Sequence, residues 1–220
     1  MKNKVSISTL PFKFEELGNK SRQLKNAGAD FLHCDIMDGI FVENKTYMPE
    51  NLASIANVCE LPLDVHLMVN DPVKYFKFCI KAQIISIHCE VFENLKDCID
   101  AINLIKQMGI KAGIAIDLDT ASEQIIPLLE YVDVVLVMSV KAGAGGQKFD
   151  DSIQEKIELY RKIKKEKTLQ FQIEVDGGIN GNNAQKCVLA GADILVSGSF
   201  VANSTNYATS INSLKYNINN

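Results

Sequence analysis

Short apolar runs alternate along the chain with longer segments in which apolar residues recur every three or four positions. The short runs are typical of buried β-strands, and the longer ones of amphipathic helices. Eight strands are predicted, at residues 5–8, 31–35, 63–69, 84–88, 111–116, 134–140, 172–176 and 194–197. Helices are predicted at residues 14–27, 72–82, 94–108, 151–164 and 182–190. The asparagine-rich segment 203–220 is expected to close the last helix and then to fray.

Strands that alternate with helices form a parallel sheet that is covered by helices. Eight strands can close into a (β/α)8 TIM barrel, and 220 residues is near the lower end of the usual length for that fold. The alternative is an open doubly wound sheet, which usually has a glycine-rich turn after its first strand. Residues 9–12, which follow the first strand, contain no glycine. We therefore predict a single TIM-barrel domain over residues 1–220.

The composition argues against several classes of partner. The chain has 23 Lys and Arg residues, 27 Asp and Glu residues, a net charge of −4 and no long basic run. A nucleic-acid partner is therefore not expected. The sequence has no apolar run of the length that a transmembrane helix needs, and its N-terminus lacks the apolar core of a signal peptide. These features predict a cytoplasmic protein with no membrane association.

Histidine and aspartate residues occur towards the C-terminal ends of three predicted strands, where the active sites of TIM barrels lie. Strand two contains His33 and Asp35, which are two residues apart and therefore point to the same face. Strand three contains His66, and strand seven ends at Asp176. Two imidazoles and two carboxylates are suitable ligands for one divalent ion of zinc, iron, manganese or cobalt. The alternative for each is a hydrogen-bonded structural role, which is the role we predict for His88.

Glycine turns follow the last three predicted strands. Backbone amides in such turns can surround an anion, and the loops after strands seven and eight are the usual phosphate site of a TIM barrel. Turns need glycine in any case, so a single pair would be weak evidence. Three of them on adjacent strands predict a phosphorylated small-molecule substrate, with candidate contacts at Gly143, Ala144, Gly145, Gly146, Gly177, Gly178, Gly198 and Ser199.

Six short motifs follow one another along almost the whole chain, from the region of Ser8 to Ser199. They are HCDIMDG at residues 33–39, DVHLMV at 64–69, VMSV at 137–140, GGQKF at 145–149, VDGGIN at 175–180 and VSGS at 196–199. Together they closely resemble the motifs of the ribulose-phosphate 3-epimerases. The resemblance implies a (β/α)8 barrel that uses a divalent metal to interconvert D-ribulose 5-phosphate and D-xylulose 5-phosphate.

The resemblance also implies roles for the histidines and aspartates. It makes His33, Asp35, His66 and Asp176 the metal ligands. It makes Asp35 and Asp176 the catalytic acid and base on opposite faces of the substrate. One aspartate would remove the C3 proton to give a cis-enediolate, and the other would return a proton to the opposite face.

Further contacts with the substrate are implied by the same resemblance. Met37, Met68 and Met138 match methionines that pack around the enediolate. Ser8, His66 and the glycine turns match contacts with the sugar and its phosphate. Methionines at these positions would exclude water without offering another acid or base.

Three segments depart from the usual pattern of the family. Residues 40–44 read IFVEN instead of HFVPN, residues 142–146 read AGAGG instead of PGFGG, and residues 117–118 read DL instead of NP. The changes spare the predicted ligands but alter loops that would shape the sugar site. The alternatives are therefore another ketose phosphate, such as D-allulose 6-phosphate or a polysaccharide-pathway sugar, and a non-catalytic sugar-phosphate-binding paralogue. Assembly into a homo-oligomer through the outer helices also stays open.

Overall fold

The computed structural model describes residues 2–46 and 50–218 of the chain. Within these residues, parallel strands are hydrogen-bonded in sequence order, and the last strand pairs with the first, so the sheet closes into a barrel. The strands are β1 Lys4–Ser8, β2 Phe31–Met37, β3 Leu63–Met68, β4 Ala82–His88, β5 Lys111–Ile116, β6 Val134–Met138, β7 Gln172–Asp176 and β8 Ile194–Ser197. The predicted (β/α)8 TIM barrel is confirmed.

Helical segments connect the strands on the outside of the barrel. The α-helices are α1 Leu17–Asn26, α2 Asn51–Val58, α3 Leu95–Gln107, α4 Ile153–Glu166, α5 Ala184–Ala190, α6 Ser199–Ala202 and α7 Tyr207–Asn212. Short 3-10 helices lie at Phe14–Glu16, Pro72–Phe78, Cys89–Val91 and Ser122–Leu128. In the described part of the chain, every helix is too short or too polar to cross a membrane.

The prediction of a helix at residues 72–82 is wrong in the type of helix and in the residue at which the helix ends. Pro72–Phe78 is a 3-10 helix, and β4 already begins at Ala82. This segment is rich in aromatic and β-branched residues, which lose side-chain freedom in an α-helix. Helix α2 was not predicted at all, because its apolar positions, Leu52 and Ile55 among them, span barely two turns.

The outer faces of the strands pack beneath the helices, which explains why the outward-facing positions of the strands are mostly apolar. Helix α4 illustrates the spacing, because Ile153, Ile157 and Tyr160 occupy one face and are fully buried. Burying one side chain of this size contributes about 1.5–3 kcal/mol. This layer therefore holds the helices on the barrel while the inner strand faces are left for other roles.

The inside of the barrel changes character along its axis. At the N-terminal end, one residue from each of four alternate strands forms a separate apolar cluster, which consists of Phe31, Ile84, Val134 and Ile194. Two residues further along β2 the inward side chain is His33, and two further it is Asp35. The apolar layer therefore closes the bottom of the barrel, below the polar residues at its mouth.

The C-terminal segment is fixed to the bottom of the barrel. Leu214 is fully buried, and Lys215 forms an ion pair with Asp30 at 2.9 Å. Asn217 forms an antiparallel bridge with Lys2. The expectation that this segment frays after the last helix is therefore wrong as far as Asn217, because these contacts tie it to the first strand and to the loop before β2. Residues 219–220 lie outside the described residues.

Candidate metal centre and active site

Strands β2, β3 and β7 bring the four predicted metal ligands to one point in the barrel. Asp35 on β2 pairs in register with His66 on β3, and His33 lies two residues before Asp35 on the same face. Asp176 ends β7. His33, Asp35 and His66 are buried, and the side chain of Asp176 is 17% exposed. One ligand atom from each of the four lies within 4.8 Å of all the others.

The distances between these atoms suit a single ion. Nε2 of His33 lies 3.3 Å from Oδ1 of Asp35 and 3.5 Å from Oδ2 of Asp176. Nδ1 of His66 lies 3.1 Å and 3.8 Å from the same two oxygens. Tetrahedral coordination with bonds of about 2.0–2.2 Å places ligand atoms about 3.3–3.6 Å apart. Nε2 of His33 is buried and has no hydrogen-bond partner among the described residues, as expected for an atom whose partner is a bound cation.

The charges of the cluster also favour a cation. Burial alone would raise the pKa of Asp35, but His33 and His66 outweigh it and lower that pKa well below its usual range. Burial alone would lower the pKa of His33, but the carboxylates of Asp64 and Asp35 raise it well above its usual range. Asp35 is therefore an ionised carboxylate, and the surrounding acids attract positive charge to the position of His33.

His33 is held from below by a second group of acids. Its Nδ1 lies 2.7 Å from Oδ2 of Asp64, which also accepts a hydrogen bond from the hydroxyl of Ser6 at 2.8 Å. Glu174 is fully buried beside this pair, and both its burial and the charge of Asp64 raise its pKa well above its usual range. Burial and the charge of Asp64 therefore favour the neutral form of Glu174, and Asp64 keeps its negative charge for Nδ1 of His33.

His66 is held from the side, by β4. Its Nε2 lies 2.9 Å from Nε2 of His88, and Nδ1 of His88 lies 2.9 Å from Oε2 of Glu90. His88 is fully buried and hydrogen-bonded at both ring nitrogens, as expected for a structural histidine. Its partner, however, is a predicted metal ligand, so His88 belongs to the network that surrounds the centre.

A cavity of about 510 Å³ opens above the centre at the C-terminal ends of the strands. His33 and His66 do not line it and lie beneath its floor. The other residues that were singled out from the sequence all line the cavity, namely Ser8, Asp35, Met37, Met68, Met138, Gly143, Ala144, Gly145, Gly146, Asp176, Gly177, Gly178, Gly198 and Ser199. The barrel therefore brings together the residues that were predicted to bind a metal and those that were predicted to contact a substrate.

The turn after β7 requires glycine for two reasons. Gly178 has a φ of +60°, and a Cβ atom at this position would lie 2.6 Å from the backbone nitrogen of Phe149. Its neighbour Gly177 has a φ of +117°. These glycines let the β7 turn pack directly on the loop after β6, so that the backbones of both loops face the cavity.

The loops that depart from the family pattern contact each other across the mouth. The side-chain amide of Asn44 donates to the carbonyl oxygen of Gly143 at 2.7 Å. A Cβ atom on Gly143 would lie 2.6 Å from Cβ of Val42, so the two loops are in close contact. Ile40 is 76% exposed, and Ala144 lines the cavity with a side chain of only one carbon.

The sequence analysis assigned no role to Asp64, Glu174 or Glu90. Asp64 precedes His66 by two residues, and Glu174 precedes Asp176 by two, so each lies on the same strand face as a predicted ligand. That spacing was a usable signal for the lower layer of the site. Glu90 follows the end of β4, and no strand periodicity indicates where its side chain points.

Comparisons with known proteins point to one family. The model of the ribulose-phosphate 3 epimerase family matches residues 4–202. The chloroplastic ribulose-5-phosphate-3-epimerase of Arabidopsis thaliana is 41% identical over 96% of this chain and 75% of its own length. The ribulose-phosphate 3-epimerase of Bacillus subtilis is 40% identical over 90% of this chain and 91% of its own length.

Solved structures with low sequence identity share the fold. KGPDC from Streptococcus mutans aligns with a TM-score of 0.69 at 11% identity, over 97% of this chain and 96% of that one. The 3-hexulose-6-phosphate synthase of Salmonella typhimurium aligns with a TM-score of 0.69 at 14% identity, over 96% of both chains. These likenesses show the fold alone, whereas the family match and the relatives at about 40% identity show the family. The chain belongs to the ribulose-phosphate 3-epimerase family.

Proposed function

We propose that this enzyme inverts C3 of D-ribulose 5-phosphate to give D-xylulose 5-phosphate, with Asp35 and Asp176 as the acid and base. The observation that carries the proposal is the meeting of these two carboxylates, from the separate strands β2 and β7, with two histidines at the floor of one cavity. Inversion needs a proton donor on one face of C3 and an acceptor on the other, and two carboxylates from different strands supply both.

Proton removal at C3 is difficult because the hydrogen is only weakly acidic, even beside the C2 ketone. A divalent cation held by His33, Asp35, His66 and Asp176 would supply positive charge where the substrate oxygen becomes negative. One aspartate takes the C3 proton, and the C–H electron pair moves towards the C2 carbonyl to give an enediolate. The other aspartate then delivers a proton to the opposite face of C3, which restores the ketone and completes the inversion.

Each aspartate is arranged so that one oxygen can serve this chemistry. Oδ1 of Asp35 faces both histidines, whereas its Oδ2 accepts a hydrogen bond from the hydroxyl of Ser8 at 3.1 Å. Oδ2 of Asp176 faces the same histidines, and the side chain is partly exposed to the cavity. Holding a carboxylate through one oxygen fixes its position while leaving the other near the substrate.

The remaining cavity residues suit an enediolate with a phosphate tail. Met37, Met68 and Met138 are nearly fully buried and cover the centre with side chains that neither donate nor accept protons. The phosphate is proposed to bind the backbone of the glycine turns and Ser199, which line one side of the cavity. Water is thereby kept from the reactive carbon while the anionic end of the substrate is held.

A second candidate is the 3-epimerisation of another ketose phosphate, such as D-allulose 6-phosphate or a sugar of a polysaccharide pathway. Ala144 favours it, because a typical family member has phenylalanine there and the smaller side chain leaves space in the cavity. A sugar-phosphate-binding paralogue without activity is the least favoured reading, since a binder has no need for two carboxylates around one carbon.

The test is deuterium exchange at C3 of D-ribulose 5-phosphate in D2O, followed by NMR before and after treatment with a chelator. We expect exchange and formation of xylulose 5-phosphate, loss of both on chelation, and recovery with Zn²⁺, Fe²⁺, Mn²⁺ or Co²⁺. Exchange only with a hexulose phosphate would favour the second candidate. No exchange with any ketose phosphate in the metal-loaded protein would leave the binding role.

A further inference from the structure

A chain of hydrogen-bonding groups runs from the candidate metal centre to the rim of the barrel. It passes from His66 to His88 through their Nε2 atoms, which are 2.9 Å apart. It continues from Nδ1 of His88 to Oε2 of Glu90 at 2.9 Å, and Oε1 of Glu90 accepts from the backbone N–H of Asp117 at 2.8 Å. His88 and Glu90 do not line the cavity, so the chemistry proposed above gives them no direct role.

The order of protons along this chain follows from its outer end. Burial alone would raise the pKa of Glu90, but hydrogen bonding to His88 outweighs it and lowers that pKa to about 2. Glu90 is therefore a carboxylate that only accepts, and Nδ1 of His88 carries the proton that it receives. In a neutral His88, Nε2 then carries no proton and presents a lone pair. Since two ring nitrogens 2.9 Å apart need one proton between them, that proton belongs to Nε2 of His66.

We propose that His88 and Glu90 are positioning residues that hold His66 as its Nε2–H tautomer. The other ring nitrogen of His66, Nδ1, then directs its lone pair at the point that Asp35 and Asp176 also face. The inference rests on the proposed metal site and assigns the atom through which His66 binds the ion. A fixed tautomer raises metal affinity because the free protein does not have to move a proton before binding.

The ring of His33 is oriented the opposite way from that of His66. Its Nδ1 faces Asp64 at 2.7 Å, and its Nε2 faces the cluster. The two ligand histidines therefore present different ring nitrogens to one ion, each because an acid fixes the nitrogen on its far side. His33 contacts its acid directly, whereas a second histidine, His88, lies between His66 and Glu90.

The ring of His88 lies close to two other rings. Its centroid lies 5.0 Å from that of His66, with the ring planes inclined by 24°, and 4.8 Å from that of Phe41. Phe41 belongs to the loop after β2, in the segment 40–44 that departs from the family pattern. This packing keeps the two Nε2 atoms aligned, which the transfer of orientation from Glu90 to His66 requires.

The three histidines of the chain make a direct test practical, because a ring-nitrogen NMR spectrum of the ¹⁵N-labelled protein contains only three imidazoles. In the Zn²⁺-loaded protein we expect His66 to carry its proton on Nε2 and to bind zinc through Nδ1. We expect the reverse for His33. A spectrum in which His66 binds zinc through Nε2 would overturn the proposal.

Zinc affinity provides a second readout. Glu90→Gln removes the charge that fixes His88, and we expect the dissociation constant for Zn²⁺, measured by competition with a chelating dye, to rise about 10–100-fold. Glu93→Gln removes the same charge from an exposed position three residues away and should leave the constant unchanged. Thermal unfolding of each variant checks that it is folded.

Substitutions of His88 separate orientation from packing. His88→Gln keeps an oxygen that can accept from Nε2 of His66, whereas His88→Leu fills the space without an acceptor. We expect Gln to retain zinc affinity and Leu to lose about 10–100-fold. Equal affinities for the two variants, or a Glu90→Gln protein within twofold of the wild type, would contradict the positioning role while leaving the metal site intact. A wild-type protein that does not bind Zn²⁺ would contradict both.

Discussion

The two ends of the barrel interior are built from the same strands but from opposite kinds of side chain. At the N-terminal end, Phe31 and Ile84 belong to a layer that contains no polar atom. Four residues further along the same strands, the inward positions hold Asp35 and His88. The lower layer buries no charged group and stabilises the closed sheet. The upper layers bury ionisable groups, and only hydrogen bonds within one shared network offset the free energy of their desolvation.

This contrast shows where stability and chemistry are placed in the molecule. A change in the lower layer should affect unfolding and leave the reaction unchanged. A change in the upper layers should affect the reaction, and should affect unfolding only where it breaks the buried network of ionisable groups. The layers between them, with Asp64 and Glu174, belong functionally to the upper end because they hold His33. Four experiments test this division.

Asp176→Asn should impair the reaction without lowering the stability of the fold. The amide cannot exchange a proton with C3 and is a weaker metal ligand, so we expect kcat to fall at least about 10³-fold. The melting temperature should not fall, because Asp176 is partly exposed and its removal relieves repulsion among the acids. Steady-state kinetics and thermal unfolding measure the two effects, with exposed Asp119→Asn as the charge-matched control. Near-normal turnover would show that the two-aspartate assignment is wrong.

Phe31→Ala should lower the stability of the fold without impairing the reaction. Removal of this ring leaves a cavity in the apolar layer and takes away the surface over which Nζ of Lys4 lies, 5.3 Å from its centroid. We expect the free energy of unfolding, measured in urea, to fall by about 3–5 kcal/mol. The kcat per folded molecule at 25 °C should stay within twofold of the wild type. A tenfold loss of kcat in folded protein would mean that the two ends are not independent.

The stability of the upper end should depend on pH through Glu90. The pKa of this carboxyl is lowered from 4.5 to about 2 in the folded protein. Its ionised form therefore stabilises the fold above pH 4.5, and that contribution is lost as the pH falls towards 2. We expect the wild type to exceed Glu90→Gln by about 2 kcal/mol at neutral pH, with the difference shrinking on acidification. A difference that does not change between pH 7 and pH 3 would contradict the assignment of Glu90 as an ionised acceptor.

Ser8→Ala should have the same kind of effect as Asp176→Asn, but a smaller one. The hydroxyl of Ser8 donates to Oδ2 of Asp35 at 3.1 Å and accepts from the backbone N–H of Leu10 at 3.3 Å. Loss of one hydrogen bond to an ionised carboxylate costs about 1.5 kcal/mol. We therefore expect kcat/KM to fall about tenfold while the melting temperature changes little. A large drop in stability without a change in kcat/KM would place Ser8 among the structural residues.

The strands and the clustering of the four candidate ligands could be predicted from the sequence, because both depend on local alternation. His33 and Asp35 share a face by their spacing alone, and Asp176 stands immediately before the glycine turn that ends β7. The closure of the barrel then brings the strand ends together without further information. For the same reason the cavity residues were predictable, since they all lie near or just after the C-terminal ends of strands.

The roles of the supporting residues could not be predicted, even where spacing indicated the strand face, because these roles depend on contacts between different strands and loops. Asp64 looks like one more polar strand residue until the register places it opposite His33. Glu90 lies in a 3-10 turn, and only the fold shows that its carboxylate returns to His88 and to the backbone of Asp117. The fixed C-terminal segment was likewise missed, since the burial of Leu214 depends on contacts with the distant start of the chain.

The measurement that tests the central claim most directly is the fate of the C3 hydrogen at early conversion. D-Ribulose 5-phosphate is incubated with the metal-loaded enzyme in D2O, and the first few per cent of product is analysed by NMR and mass spectrometry. If Asp35 and Asp176 act on opposite faces, the proton removed by one aspartate cannot be delivered by the other, and the xylulose 5-phosphate formed should carry deuterium at C3 in essentially every molecule. Substantial retention of protium at C3 of the product would mean that a single group serves both faces, and would contradict the account.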